Sequence, residues 1–276
     1  MSKDLVSKDL VDEIYKNIKL KLNSASIKPG LAIIQVGDKK DSSTYIKLKL
    51  KKCSQLGIHS LVYSFADNIS RDHIIDTIVS LNSYNSISGI IVQLPLPINF
   101  TEEDEYKILN SVSPTKDVDG FHFQNVGNLT LNHKSMIPCT AEGCFKLLQY
   151  HNIDIFGKHV VIVGSSKVVG LPLSLLLLHH GSTTTLCNIH TENIKEITKT
   201  ADILISCCGN PHLINQSWIK KDSVIIDVGI NHTDNGIVGD VNYKEVIKQV
   251  KYITPVPGCI GPLTIAILME HLVNSI

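Results

Sequence analysis

The chain lacks paired cysteine spacing. Cys53, Cys139, Cys144, Cys187, Cys207, Cys208 and Cys259 show no C-x-x-C spacing, and seven is an odd count, which fits reduced thiols better than a disulfide framework. The expectation is a cytoplasmic protein in which most of these residues are small buried hydrophobes. Neither sign of charge is in excess: Lys plus Arg and Asp plus Glu both total 26. No net field then favours nucleic acid or an anionic membrane, and any anionic ligand must be held by local groups. Long apolar runs are missing too. Leu173 to Leu178 falls far short of the roughly 20 residues that span a bilayer, and the opening Met1-Ser-Lys-Asp-Leu-Val mixes charges where a secretory leader needs an apolar centre. The twelve histidines form no H-E-x-x-H or similar pattern, so they are read as structural or surface residues, with no metal site.

What is present is alternation. At 276 residues the chain exceeds what one core usually fills, because cores stop growing near roughly 250–300 residues, and two domains are expected. Helical and strand periods alternate almost throughout, the pattern of parallel sheets covered by helices. Helices are predicted over 5–22, 42–56, 71–81, 102–110, 142–150 and 263–273, and strands over 31–36, 61–65, 89–94, 160–163, 184–187, 203–206 and 224–228. The stretch 113–132, rich in Asp, Gly and Asn, reads as a functional loop between domains. Residues 158–230 look like a dinucleotide-binding sheet, which makes the fold α/β with a Rossmann-like second domain.

Between the strand ending at Val163 and the apolar helix from Leu173 stands Gly164-Ser-Ser-Lys-Val-Val-Gly170. Glycines at such a junction let the backbone approach a pyrophosphate, and the helix start attracts its charge. The spacing is not G-x-G-x-x-G: Ser166 stands where the second glycine would be, and the last glycine comes one residue late. Asn188, after the next strand, is neither Asp nor Glu, so the usual carboxylate partner of an NAD ribose is missing. That permits a 2′-phosphate but supplies no arginine to hold one.

On the 42–56 helix, Tyr45 and Lys49 are one turn apart on one face. A lysine beside a tyrosine in a cleft can activate water or polarise a substrate atom. From spacing alone a solvated basic face is preferred for Lys47, Lys51, Lys52 and Lys49 alike. Gln93 lies near the C-terminal end of a parallel strand, where open α/β sheets place ligands. Asp117 and Asp119 suit a carboxylate grip on an amino-pyrimidine better than a metal, with turn formation as the plainer alternative.

Seven collinear motifs add to this: Ser43-Thr-Tyr45-x-x-x-Lys49, Val92-Gln-Leu-Pro-Leu-Pro97, Lys116-Asp-Val-Asp-Gly-Phe121, Pro138-Cys-Thr140, Gly164-x-Ser166-x-x-Val-Gly170-x-Pro172, Asp227-Val-Gly-Ile-Asn231 and Pro255-Val-Pro-Gly-x-x-Gly-Pro262. Together they resemble the bifunctional methylenetetrahydrofolate dehydrogenase/methenyltetrahydrofolate cyclohydrolase family over nearly the whole chain. The resemblance implies NADP-dependent oxidation of 5,10-methylenetetrahydrofolate, then hydrolysis of the methenyl product to 10-formyltetrahydrofolate, with NAD left open as the cofactor. It reverses the reading of Lys49, which becomes the key residue of hydrolysis, with Tyr45 stacking on the folate and Gln93 tuning the lysine. Asp119 is implied to hold the pterin and Gly261-Pro262 to line the same cleft, while Gly164, Ser165, Ser166, Ile189 and Ile230 are implied at the cofactor. The family's fold implies a folate-binding domain from 1–138 plus 259–276, an NAD(P)-binding domain from 139–258 with a cleft between them, and a homodimer. Two alternatives are a protein keeping one activity and a silent folate- or nucleotide-binding module; retention of Tyr45, Lys49, Gln93 and Asp119 argues against the latter. Departures from the family's pattern are Ser165, Asn188-Ile189, Ala141 and Cys259, the last in a glycine's place, where a positive φ would strain it.

Overall fold

The structure, a computed structural model, describes residues 3–234 and 236–276. Met1 and Ser2, part of the opening segment read above, lie outside the described residues. The chain divides into two compact units: residues 14–137 with Ile265–Ile276, and residues 3–13 with Pro138–Thr264.

The first unit is built on three parallel strands in the order His59–Phe65, Gly30–Val36, Gly89–Val92. Gly30–Val36 is central and Gly89–Val92 is wholly buried, as apolar runs in a covered parallel sheet must be. A parallel bridge from Ile90 to Asp117 extends the sheet by one further segment. The terminal helix packs here. His271 Nδ1 lies 2.9 Å from the Val118 carbonyl, and a Cβ on Gly89 would stand 2.7 Å from Leu272 and 2.8 Å from Val118.

The second unit carries six parallel strands in the order Thr183–Cys187, His159–Val163, Ile203–Ser206, Val224–Asp227, Tyr252–Ile253, Lys3–Asp4. Counted from His159–Val163, the first five run 2-1-3-4-5, so the connection reverses direction between His159–Val163 and Ile203–Ser206. In such sheets that reversal opens the ligand crevice beyond the strands' carboxyl ends.

Three expectations change. The first helix runs Lys8–Ser24, not from Leu5, because the residues before it pair with the sheet: the Leu5 amide donates to the Ile253 carbonyl at 2.8 Å. Long-range pairing overrides a local helical pattern. The stretch 113–132 is not all loop; it contains the helix Phe123–Thr130, capped by His122 Nδ1, which accepts from the Gln124 amide at 3.1 Å. An imidazole is a rare cap, so composition gave no sign of it. Cys259 is unstrained, since the positive φ falls on Gly258, at 114°. Its buried thiol donates to the Leu5 carbonyl at 3.2 Å.

Candidate active site

The helix Lys40–Leu56 ends where Gly57 turns left-handed at φ 68°, which lets the Ile58 amide reach the Cys53 carbonyl at 2.9 Å. Its register buries Ile46, Lys49, Cys53 and Leu56, spaced three and four apart on one face. Lys49 therefore lies on the buried face and is only 7% exposed, whereas Lys47 and Lys51 are solvated. Lys52 differs from both, with its amine 4.0 Å from the centre of the Tyr15 ring.

Lys49 Nζ donates to Gln93 Oε1 at 3.1 Å. Gln93 is placed by its own amide, which donates to the Ile34 carbonyl at 2.9 Å, and its Nε2 donates to the Leu94 carbonyl at 2.9 Å. With one end of the amide tied to backbone, the other can only accept, and it fixes the lysine's direction without adding charge. Tyr45 stands one turn before Lys49, half-buried, and burial raises its phenol.

The segment Lys116-Asp-Val-Asp-Gly120 separates into distinct tasks. Lys116 Nζ donates to the carbonyls of Asn82 at 2.8 Å and Tyr84 at 2.9 Å, closing the end of the Arg71–Asn82 helix. Asp117 is buried and accepts from the His122 amide at 2.8 Å, Asn125 Nδ2 at 2.9 Å and the Gly120 amide at 3.1 Å. It is the turn former. The bridge at Ile90 and Asp117 is parallel, so the segment advances toward the same strand end as Gln93 and carries the half-exposed Asp119 there. Among the described residues no group of three His, Cys, Asp or Glu is placed to hold a metal.

In the second unit the Gly164–Gly170 turn sits at the sheet's reversal. Gly164 has φ 117°, and a Cβ there would stand 2.5 Å from the Cys207 carbonyl oxygen. A Cβ on Gly170 would stand 1.8 Å from the Gly164 carbonyl oxygen. Ser166 fills the missing glycine's place by organising the turn: its Oγ accepts from the Val169 amide at 3.2 Å and its carbonyl from the Leu171 amide at 3.1 Å. The Gly170–His179 helix has no side-chain cap, which suits an anion at its start. Ser165 and Ser166 are exposed beside this turn, Ile189 is 93% exposed after its strand and Ile230 is 37% exposed after Val224–Asp227. All lie at carboxyl ends of the sheet, so the turn fits a dinucleotide's pyrophosphate. Asn188 Oδ1 is engaged locally, accepting from the His190 amide at 2.9 Å.

Gly261 and Pro262 belong to the second unit, in the first turn of the Ile260–Asn274 helix, while Tyr45, Lys49, Gln93 and Asp119 belong to the first. The thiols are quiet: burial pushes Cys53 up to about 11, Cys207 up to about 12 and Cys259 up to about 11. None is a thiolate near neutral pH. Two residues without a role in the sequence reading, Asp227 and Asp240, form a buried pair beside the cofactor strands. Burial pushes the Asp227 carboxyl up to about 7, the Asp240 charge adding to the rise while backbone donors oppose it. No local sequence signal marks the pair, whose burial appears only in the fold.

Comparison with known proteins shows the family. The family model described as tetrahydrofolate dehydrogenase/cyclohydrolase, catalytic domain, matches residues 1–119, and the NAD(P)-binding-domain model of the same family matches residues 138–276. The chain is 42% identical over 272 residues to the bifunctional protein FolD of Agathobacter rectalis, covering 98% of this chain and 96% of that one. The solved bifunctional enzyme FolD of Campylobacter jejuni superposes with a TM-score of 0.95 at 42% identity, over 100% of this chain and 98% of that one. The Trypanosoma brucei methylenetetrahydrofolate dehydrogenase-cyclohydrolase, solved with NADP and an inhibitor, gives 0.92 at 31% identity, over 99% and 97%. The chain belongs to the tetrahydrofolate dehydrogenase/cyclohydrolase family.

Proposed function

We propose that Lys49, directed by Gln93, carries the proton transfers of the cyclohydrolase step, and that the Gly164–Gly170 turn holds the pyrophosphate of the dinucleotide. The chain is a bifunctional one-carbon folate enzyme. It oxidises 5,10-methylenetetrahydrofolate to 5,10-methenyltetrahydrofolate with NADP and hydrolyses that product to 10-formyltetrahydrofolate. The observation that carries the reading of Lys49 is its bond of 3.1 Å to Gln93 on a buried helix face.

In hydrolysis, the lysine amine takes a proton from water as the water oxygen bonds to the methenyl carbon. It returns a proton to N5 as the bond from that carbon to N5 breaks, and the new hydroxyl loses its proton to leave the formyl group. Tyr45 stacks on the folate and holds the methenyl carbon near the amine, and Asp119 accepts paired N–H donors from the pterin. Gly164, Ser165 and Ser166 hold the phosphates, with Ile189 and Ile230 against the rest of the dinucleotide and Gly261-Pro262 against the folate. NADP, when bound, accepts the hydride of the first step. What the chain supplies there is alignment of the substrate.

Cofactor preference is expected to be shallow. The sequence's single arginine, Arg71, is held by Asp104 at 3.0 Å in the first unit. The second strand of the cofactor unit is followed by Asn188, neither carboxylate nor guanidinium, and the Gly164–Gly170 turn carries the lysine Lys167. A flexible point charge selects a 2′-phosphate less sharply than a bidentate fork. Titrating NADP and NAD with methylenetetrahydrofolate should give turnover with NADP and a specificity ratio within about tenfold. No turnover with either sinks the dehydrogenase assignment.

The free thiols support a cytoplasmic enzyme, to be checked by cell fractionation. The half-buried edge strand Thr183–Cys187 supports a homodimer paired through the cofactor unit. Sedimentation equilibrium should return twice the chain mass, and a monomer at micromolar concentration would exclude the dimer.

A further inference from the structure

Asp240 is fully buried and Asp227 nearly so, and the two carboxylates interlock. Asp227 Oδ1 accepts from the amides of Gly229 and Asp240, both at 3.0 Å, and its Oδ2 from the Val241 amide at 2.9 Å. Asp240 Oδ2 accepts from Ser206 Oγ at 3.0 Å, the Cys208 amide at 2.9 Å and the Gly209 amide at 3.2 Å. Its Oδ1 accepts from the Asn210 amide at 3.0 Å and Asn231 Nδ2 at 2.9 Å. The packing is reciprocal. A Cβ on Gly229 would stand 2.2 Å from Asp240 Oδ1, and one on Gly239 would stand 1.9 Å from Asp227 Oδ2. Each carboxylate fills the space that a side chain beside the other would need.

Two loops end in this clasp. The 207–210 loop leaves the strand Ile203–Ser206 directly against the phosphate turn: the Cys207 amide donates to the Val163 carbonyl at 2.8 Å and its thiol to the Gly164 carbonyl at 3.3 Å. The 228–231 loop leaves Val224–Asp227 and carries Ile230. The 207–210 loop and residues 228–230 have no regular structure, while Asn231 begins the strand Asn231–Thr233, paired antiparallel with Gly236–Val238, so the shape of each connection depends on where its amides find acceptors. Asp240 supplies acceptors to both loops at once.

We propose that Asp240 is a positioning residue of the dehydrogenase, its carboxylate setting the 207–210 and 228–231 loops in the shape that receives the dinucleotide. The proposal rests on the cofactor site described above and adds to it a residue that need not touch the cofactor. Asp240→Asn keeps one acceptor and turns an N–H donor toward loop amides that donate. Cofactor dissociation constants measured by calorimetry are expected to rise roughly tenfold or more. The rate of methenyltetrahydrofolate hydrolysis without cofactor should stay within about twofold, since Lys49 and Gln93 belong to the other unit.

Because Asp240→Asn also removes a buried charge network, Asn231→Ala is the second variant, deleting one donor from the 228–231 loop. It is expected to weaken cofactor binding by roughly threefold to tenfold. Folded variants that bind the dinucleotide as tightly as wild type would overturn the proposal. So would a cyclohydrolase rate that falls in step with cofactor affinity, which marks general damage. If Asp240→Asn does not fold, Asn231→Ala decides alone. Wild-type protein that binds neither NADP nor NAD would overturn the cofactor site itself, and the clasp's role with it.

Discussion

Lys49→Met should lower the rate of methenyltetrahydrofolate hydrolysis by about 10²–10⁴-fold, the usual contribution of a positioned proton-transfer group. Methionine keeps an unbranched stem on the buried face beside Ile46 and Cys53, so the helix should hold its packing. The deleted bond is the one from Nζ to Gln93 Oε1 at 3.1 Å. Gln93 keeps its bond to the Leu94 carbonyl at 2.9 Å, and the loss of stability should be about 1 kcal/mol, the net worth of one hydrogen bond. Oxidation of methylenetetrahydrofolate should fall less than about tenfold, since hydride transfer draws on alignment and not on a proton at this position. The measurement is both activities on one preparation, with melting temperature as the check on folding. A variant that hydrolyses the methenyl substrate at the wild-type rate removes Lys49 from the mechanism.

Period alone placed Lys49 with Lys47, Lys51 and Lys52 on a solvated face, because four nearby lysines on an amphipathic helix are usually wet. The same period, counted from Ile46 to Cys53, would have put Lys49 inside, as the burial shows. What spacing could not supply was the partner. Gln93 lies 44 residues away on another element, and only the parallel sheet order brings it to the helix. The resemblance to a family closed that gap.

The central strands were legible because each is a short apolar run covered on both faces, whereas His59–Phe65 and Thr183–Cys187 are part-exposed edge strands. The first strand, Lys3–Asp4, was not legible, being two polar residues whose pairing is decided by Tyr252–Ile253 at the other end of the chain. The helix Phe123–Thr130 hid behind Asn and Gly for a similar reason. Its start depends on His122, and its buried Asn125 is satisfied by Asp117 Oδ2 at 2.9 Å and the Pro114 carbonyl at 3.0 Å. Asp240 escaped notice because a buried carboxylate is defined by donors gathered from two segments distant from it in sequence or fold, 206–210 and Asn231. No local pattern announces such a residue.

Gly170→Ala should abolish measurable dinucleotide binding at concentrations that saturate wild type, while hydrolysis of methenyltetrahydrofolate continues within about twofold. The added methyl meets the Gly164 carbonyl oxygen at 1.8 Å, the Gly164 carbonyl carbon at 2.8 Å and the Ser165 Cα at 3.3 Å. These are backbone atoms, with no rotamer to give way, so either the turn opens or the helix retreats. Retreat is opposed by Leu173 and Leu177, both fully buried one and two turns on, where overpacking costs about 1–3 kcal/mol. Opening the turn is the easier course. It moves Gly164 away from the Cys207 loop and breaks the contacts of Ser166 with Val169 at 3.2 Å and Leu171 at 3.1 Å. Those contacts aim the amides at the pyrophosphate, and an anion site made of amides fails when their directions diverge. Calorimetric titration with NADP, beside a melting curve and the cofactor-free hydrolysis rate, separates a lost site from a lost fold. A folded Gly170→Ala protein that binds NADP as wild type does would move the pyrophosphate away from this turn.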